Sequence, residues 1–170
     1  CHERGVKLIL DLPINHTSDR CEWFKAFTEA RKTDNTDSEY YDFYSVGESV
    51  SADGKVFNTI RGTEQFYECN FSGDMPELNF DNPKVREAML EVAKHYLNLG
   101  VDGFRFDAVK YIYYGDTDKS VAFWEWYMEE LRKLNPDIYC VGECWSGETE
   151  ILEYYDAMNC FNFAMAQAEG

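Results

Sequence analysis

Three β-like runs in this chain each carry an acidic residue at their C-terminal end: VKLILDL with Asp11, VDGFRFD with Asp107, and IYCVGE with Glu143. Each is entered from a helix-like or turn-like segment through a short stop signal. DNPKVREAMLEVAKHYLNLG precedes the second run, with Asp81 and Asn82 as cap candidates and Pro83 at the first helical position. Val85, Met89, Val92, Ala93, Tyr96 and Leu97 recur in it at helical spacing before Gly100 stops it. SVAFWEWYMEELRKLNPD precedes the third run, with Ser120 as the expected cap and Asn135-Pro136 as terminator. CHERG leads into the first through Gly5. Helix, stop and strand in repeated order are expected of a parallel sheet built from βα units. Catalytic groups project from the C-terminal strand ends of such sheets when they close into barrels.

Side chains alternate along a strand, so Arg105 and Asp107 share a face about 7 Å apart at the backbone, within reach of a guanidinium–carboxylate contact. A carboxylate fixed by a guanidinium favours its charged form, which suits a nucleophile better than a general acid. Glu143 is flanked by Gly142 and Cys144-Trp145, and an apolar neighbour together with a nearby anion favours the protonated form, which suits an acid. Taken alone, each acid also has a plainer reading, a surface ion pair for Asp107 and a helix-capping or solvated residue for Glu143.

The distance from Asp107 to Glu143 is that of one strand-to-strand repeat, whereas that from Asp11 to Asp107 far exceeds what a crossover needs. The excess lies between about His16 and Phe80. It is polar and aromatic, without sustained periodicity after the helix-like EWFKAFTEARK. This predicts an inserted subdomain over 17–80 between barrel segments 1–16 and 81–170. Its aromatic residues, Trp23, Phe24, Tyr40, Tyr41, Phe43, Tyr44, Phe57, Phe66, Tyr67 and Phe71, are expected chiefly to form a small core, with sugar stacking as the other use.

LILDLPINH, MPELN, GFRFDAVK and VGECW, in this order, resemble four sequence blocks of the α-amylase family, glycoside hydrolase family 13. The resemblance implies an α/β chain forming part of a (β/α)8 TIM barrel, about strands 3 to 5 or 6, with the family's inserted subdomain after the third strand. It makes Asp107 the nucleophile, Glu143 the acid/base and Arg105 the partner that positions Asp107. His16 is expected to bind sugar at the cleavage point, Asp11 to support the site from below, and Lys110 to contact sugar on the leaving-group side. Tyr111 stands where true α-amylases carry a histidine, which leaves the leaving-side contacts and polymer preference open. Asn15, with Asn79, is expected to ligate a possible calcium ion; no organic cofactor is implied. Both are neutral amides, so an ion held there would be bound more weakly than by carboxylates.

The implied reaction is retaining hydrolysis of α-1,4-glucans or malto-oligosaccharides through a covalent glycosyl-enzyme. MPELN with Lys110 tilts the choice toward α-1,4 cleavage. Glucanotransferase, trehalose synthase and oligo-1,6-glucosidase chemistry remain the alternatives, since they use the same two acids. A non-catalytic carbohydrate-binding relative is disfavoured because Asp107 and Glu143 are both present. Retaining chemistry itself asks for two carboxyl groups about 5–5.5 Å apart, which neighbouring strand ends can supply. The family's third catalytic carboxylate has no counterpart here. The expectation is therefore an internal piece of a longer enzyme, inactive alone and needing the remainder of its polypeptide to close the barrel.

The net charge of −16 argues against nucleic acid or an anionic membrane as partner. No apolar run approaches the roughly 20 residues of a membrane span. The six cysteines lack CxxC pairs, which argues against zinc, and Cys140 and Cys144 are expected to be small buried thiols. His2 and His95 are expected on helix surfaces. The compartment, extracellular or cytoplasmic, stays open.

Overall fold

The structure is a computed structural model that describes residues 1–163 and 165. The elements begin with β1 (Ile9–Asp11), α1 (Glu22–Lys32), β2 (Val46–Gly47), β3 (Ser51–Ala52), β4 (Lys55–Thr59) and β5 (Phe66–Glu68). They continue with α2 (Pro83–Asn98), β6 (Gly103–Phe106), α3 (Thr117–Leu134), β7 (Tyr139–Gly142), α4 (Glu148–Glu153) and β8 (Asn159–Cys160). Two compact units result. One comprises Cys1–Ile14 and the chain from Ala88 onward, the other Asn15–Glu87.

The first unit is built on a parallel sheet in the order β1-β6-β7-β8. The register pairs Asp11 with Arg105 and Arg105 with Val141, so the acidic residues of the three runs gather at one end of the sheet. Gly103 makes this pairing possible, because a Cβ there would sit 1.7 Å from the Tyr139 carbonyl oxygen. The outer face of the sheet packs on α3. Phe104, Phe106, Phe123, Trp124, Tyr127 and Leu131 are all buried, with Phe106 and Trp124 ring centres 4.8 Å apart. The polar tips of the two large rings find backbone acceptors, as buried rings of this kind require. Trp124 Nε1 donates to the Val109 carbonyl at 2.8 Å, and the Tyr127 hydroxyl donates to that of Met89 at 2.8 Å.

Helix limits follow the local chemistry. Asn82 caps α2 by accepting from the Lys84 amide at 3.0 Å, and Gly100 beyond its end takes a φ of +94° that only glycine adopts without strain. The start of α3 departs from the sequence expectation. Its cap is Asp116, whose side chain accepts from the Lys119 amide at 3.0 Å, and Ser120 lies one turn inside. There Ser120 is buried and its hydroxyl donates to the Tyr113 carbonyl at 3.2 Å. Both residue types cap well; Asp116 prevails because Thr117 and Asp118 behind it continue the helix outward.

The second unit is an antiparallel sheet, β2-β5-β4-β3, with α1. Its core is aromatic. Phe24 of α1 meets Tyr44 and Tyr67 edge-on, with ring centres 5.1 and 4.9 Å apart, and Phe27, Phe43, Phe57 and Phe80 are buried with them. Edge-to-face pairing satisfies the ring quadrupoles and gives a small unit substantial apolar burial. Phe71 is the exception among these rings and remains exposed.

Among the described residues all six cysteines are free, Cys69, Cys140 and Cys144 buried, and no helix is long and apolar enough to cross a membrane.

Candidate active site

The parallel register of β1, β6 and β7 fixes what the strand-end side chains can reach. Arg105 is the hub. Its Nη1 donates to both oxygens of Asp11, at 2.8 and 3.0 Å, and to Asp107 at 2.6 Å. Its Nη2 donates to Glu143 Oε2. One planar guanidinium thus ties together carboxylates from three consecutive strands of the sheet, a task its forked donors suit. The backbone holds the acids in place as well: the Glu143 amide donates to the Phe106 carbonyl at 2.8 Å, and the Glu143 carbonyl accepts from Val109 at 2.9 Å. Between Asp107 and the following 3-10 turn, Ala108 takes a left-handed conformation with φ 46°, which ends the strand abruptly after the acid.

Burial raises the Glu143 carboxyl above its ordinary range, and the adjacent Asp107 reinforces the effect. The Trp145 indole and the Arg105 charge pull the other way. Trp145 Nε1 donates to Glu143 Oε1 at 2.6 Å, so both oxygens of this carboxyl have donors. Sequence reasoning treated Trp145 only as an apolar neighbour. The available signal was its place two residues after Glu143, the spacing that puts both side chains on one side of an extended chain.

Lys110 lies on the 3-10 turn Val109–Tyr113, its Nζ 5.9 Å from the centre of the Tyr111 ring, which stacks on Tyr114 at 4.5 Å. The Tyr111–Tyr114 pair gives the turn after Asp107 an aromatic surface, half-buried and close to parallel at 5°.

His16 and Asn15 belong to the second unit. His16 pairs with Glu77 in an isolated antiparallel bridge, and its ring lies 5.6 Å from that of Phe71. Asn15 is buried with neither its amide nitrogen nor its oxygen in a well-formed hydrogen bond. Asn79 is not its companion. Its amide nitrogen donates to the Asp42 carbonyl at 3.0 Å and its oxygen accepts from the Asp81 amide at 3.1 Å, so it serves the turn leading into α2. The side chain facing Asn15 is Glu77, which is buried and has no well-formed hydrogen bond at either oxygen. Burial, followed by the Glu68 carboxylate, pushes Glu77 well above the usual carboxylate range. An acid set between Pro76 and Leu78 in MPELN was the signal for this residue, since apolar flanks predict burial and a buried acid needs a partner. Among the described residues no group of three or more His, Cys, Asp or Glu is arranged to hold a metal ion.

The parallel sheet, with three carboxylates gathered at one guanidinium beyond its strand ends, matches part of a (β/α)8 barrel. The catalytic-domain model of the alpha-amylase family matches residues 1–168, and the chain belongs to that family, glycoside hydrolase family 13. It is 39% identical over 166 residues to Alpha-amylase 3 of Dictyoglomus thermophilum, covering 97% of this chain and 32% of that protein. It is 37% identical to the trehalose synthase/amylase TreS of Mycolicibacterium smegmatis over 81% of this chain and 25% of that one. The solved structure of Eubacterium rectale Amy13B superposes with a TM-score of 0.89 at 33% identity, over 96% of this chain and 32% of that one. The chain thus spans about a third or less of the length of these relatives.

Proposed function

We propose that this chain carries the nucleophile and the acid/base of a retaining glycosidase acting on α-1,4-glucans or malto-oligosaccharides. The observation that carries the reading is the Arg105 guanidinium joining Asp107 and Glu143 at adjacent strand ends. The two carboxyl groups differ in burial, Asp107 being 30% and Glu143 13% exposed, and unequal environments are how one fold runs acid and nucleophile side by side. In the first step the Asp107 carboxylate attacks the anomeric carbon as the glycosidic bond breaks, and the leaving oxygen takes the proton of Glu143. In the second step Glu143, now ionised, removes a proton from water. The water attacks the anomeric carbon and Asp107 leaves. A sugar hydroxyl in place of that water gives transfer, and the relative named trehalose synthase/amylase keeps that outcome in view. Lys110 and the Tyr111–Tyr114 stack are proposed to line the leaving side where acceptor choice is made, and His16 is proposed to bind sugar at the cleavage point.

Among the described residues the outer strands β1 and β8 each have one side unpaired in the sheet order, which supports completion of the barrel by further strands of the same polypeptide. A calcium ion in the second unit is a separate proposal. Calcium takes six to eight oxygen ligands, and the Asn15 oxygen and Glu77 carboxylate are buried oxygens without a well-formed hydrogen bond, which could supply two of them. It would add to the positive charge that Lys55 sets near Glu77 and play no part in bond breaking.

The test is turnover of maltotriose by the full-length enzyme containing this chain, with Asp107→Asn as control. Glucose and maltose as sole products support hydrolysis, and longer oligomers or trehalose support transfer. Asp107→Asn is expected to cost at least about 10³-fold, equivalent to about 4 kcal/mol of barrier. Activity within tenfold of the wild type would remove Asp107 from the nucleophile role.

A further inference from the structure

Glu143 has to alternate between a proton-bearing acid and an ionised base, yet each of its oxygens accepts from a group that can only donate. A carboxyl that takes up a proton keeps acceptor capacity on both oxygens, so both donors can stay, but each holds the ionised form more strongly. Arg105 is fixed in place. Its guanidinium is held by Asp11 and Asp107 at the same time, and its side chain is mostly buried. Trp145 is different: 54% of it is exposed, and its other strong contact is a stack on Phe163 with ring centres 4.0 Å apart.

We propose that the Trp145 indole N–H is a positioning donor that orients the Glu143 carboxyl by holding its Oε1. The inference rests on the acid/base reading of Glu143. Once the proton has passed to the leaving oxygen, the indole N–H holds the carboxylate in place for removal of a proton from the incoming water. Trp145 acts through Glu143 and need not touch the sugar.

The groups that face Glu143 are Arg105 on β6 and Asp107 just beyond it, with Asp11 of β1 coupled through Arg105. Lys110, on the turn after Asp107, acts on the neighbouring Cys144. None of these is altered by replacing the indole. Trp145→Phe keeps an aromatic ring against Phe163 and deletes only the N–H. In the full-length enzyme this variant is expected to move the alkaline limb of kcat/KM for maltotriose upward by about one pH unit, since removing a donor to the charged form favours the protonated one. A second measurement needs no turnover. The isotope-labelled indole N–H resonance of Trp145, assigned by its loss in Trp145→Phe, is expected to titrate with Glu143 and to stop doing so in Glu143→Gln. An unmoved alkaline limb in Trp145→Phe, or an indole resonance flat through the activity profile, overturns the proposal. Absence of wild-type turnover on maltotriose sinks the glycosidase reading instead, and the indole titration then still decides whether Trp145 answers to Glu143.

Discussion

Replacing Arg105 by lysine keeps the charge and removes the geometry, so it separates what the guanidinium does as a cation from what it does as a bridge. Four hydrogen bonds leave Arg105: two to Asp11, one to Asp107 and one to Glu143. An ammonium is a compact charge on a flexible stem and cannot keep the spread of contacts that the planar fork makes. The Asp11 side chain is 62% exposed, so its pair with Arg105 is screened and contributes little. Those to Asp107 and Glu143 are 30% and 13% exposed and carry the effect. At about 1.5 kcal/mol for each of two lost charge-assisted bonds, the barrier should rise by about 3 kcal/mol, or roughly 10²-fold in kcat. The loss should fall on kcat more than on KM, because the bonds orient reacting groups and not the bulk of the sugar. The assay is steady-state turnover of maltotriose by the full-length enzyme, with a thermal melt to confirm folding. A variant that melts like the wild type and turns over within threefold of it would refute the argument that bridging geometry matters.

Glu143→Gln should slow maltotriose far more than a nitrophenyl glycoside, whose leaving group needs no proton, and equal losses on the two would count against an acid role. In the wild type the alkaline limb of kcat/KM should lie above the ordinary carboxylate value of 4.5, with activity falling as pH rises through it, because burial favours protonated Glu143 and only that form donates. Gly103→Ala should destabilise the full-length protein by more than about 3 kcal/mol in urea unfolding, since the new methyl meets a backbone oxygen at 1.7 Å that no rotamer change can move. If calcium binds between Asn15 and Glu77, excess chelator should lower the melting temperature of the wild type and leave Glu77→Gln unmoved; an unchanged wild-type melt removes the ion from the account.

What the sequence made legible, and what it hid, divides along one physical line. Parallel strands repeat at a spacing set by their crossover helices, so DNPKVREAMLEVAKHYLNLG and the run after it announced α2 and β6 with their stop and cap residues. Alternation along a strand likewise foretold the contact of Arg105 with Asp107. What period alone does not encode is which neighbour lies across from which. The bonds from Arg105 to Asp11 and Glu143 depend on register, which pairs Arg105 with Asp11 on one side and with Val141 on the other. The strands of the second unit run two to five residues, too few to establish a period of two, so that unit looked patternless although its rings form an ordered core. Asn79 and Glu77 show the same limit at a single position. Both lie in MPELN with the same parity, and composition favoured neither as the companion of Asn15. The backbone decides: the Leu78 amide donates to the Asn15 carbonyl at 2.9 Å and His16 bridges Glu77, which sets Glu77 beside Asn15 while Asn79 is taken up by the turn into α2. A buried acid set against a neutral amide by that pairing marks where the chain asks for a proton or a cation, and such a demand becomes visible only once the strands are in register.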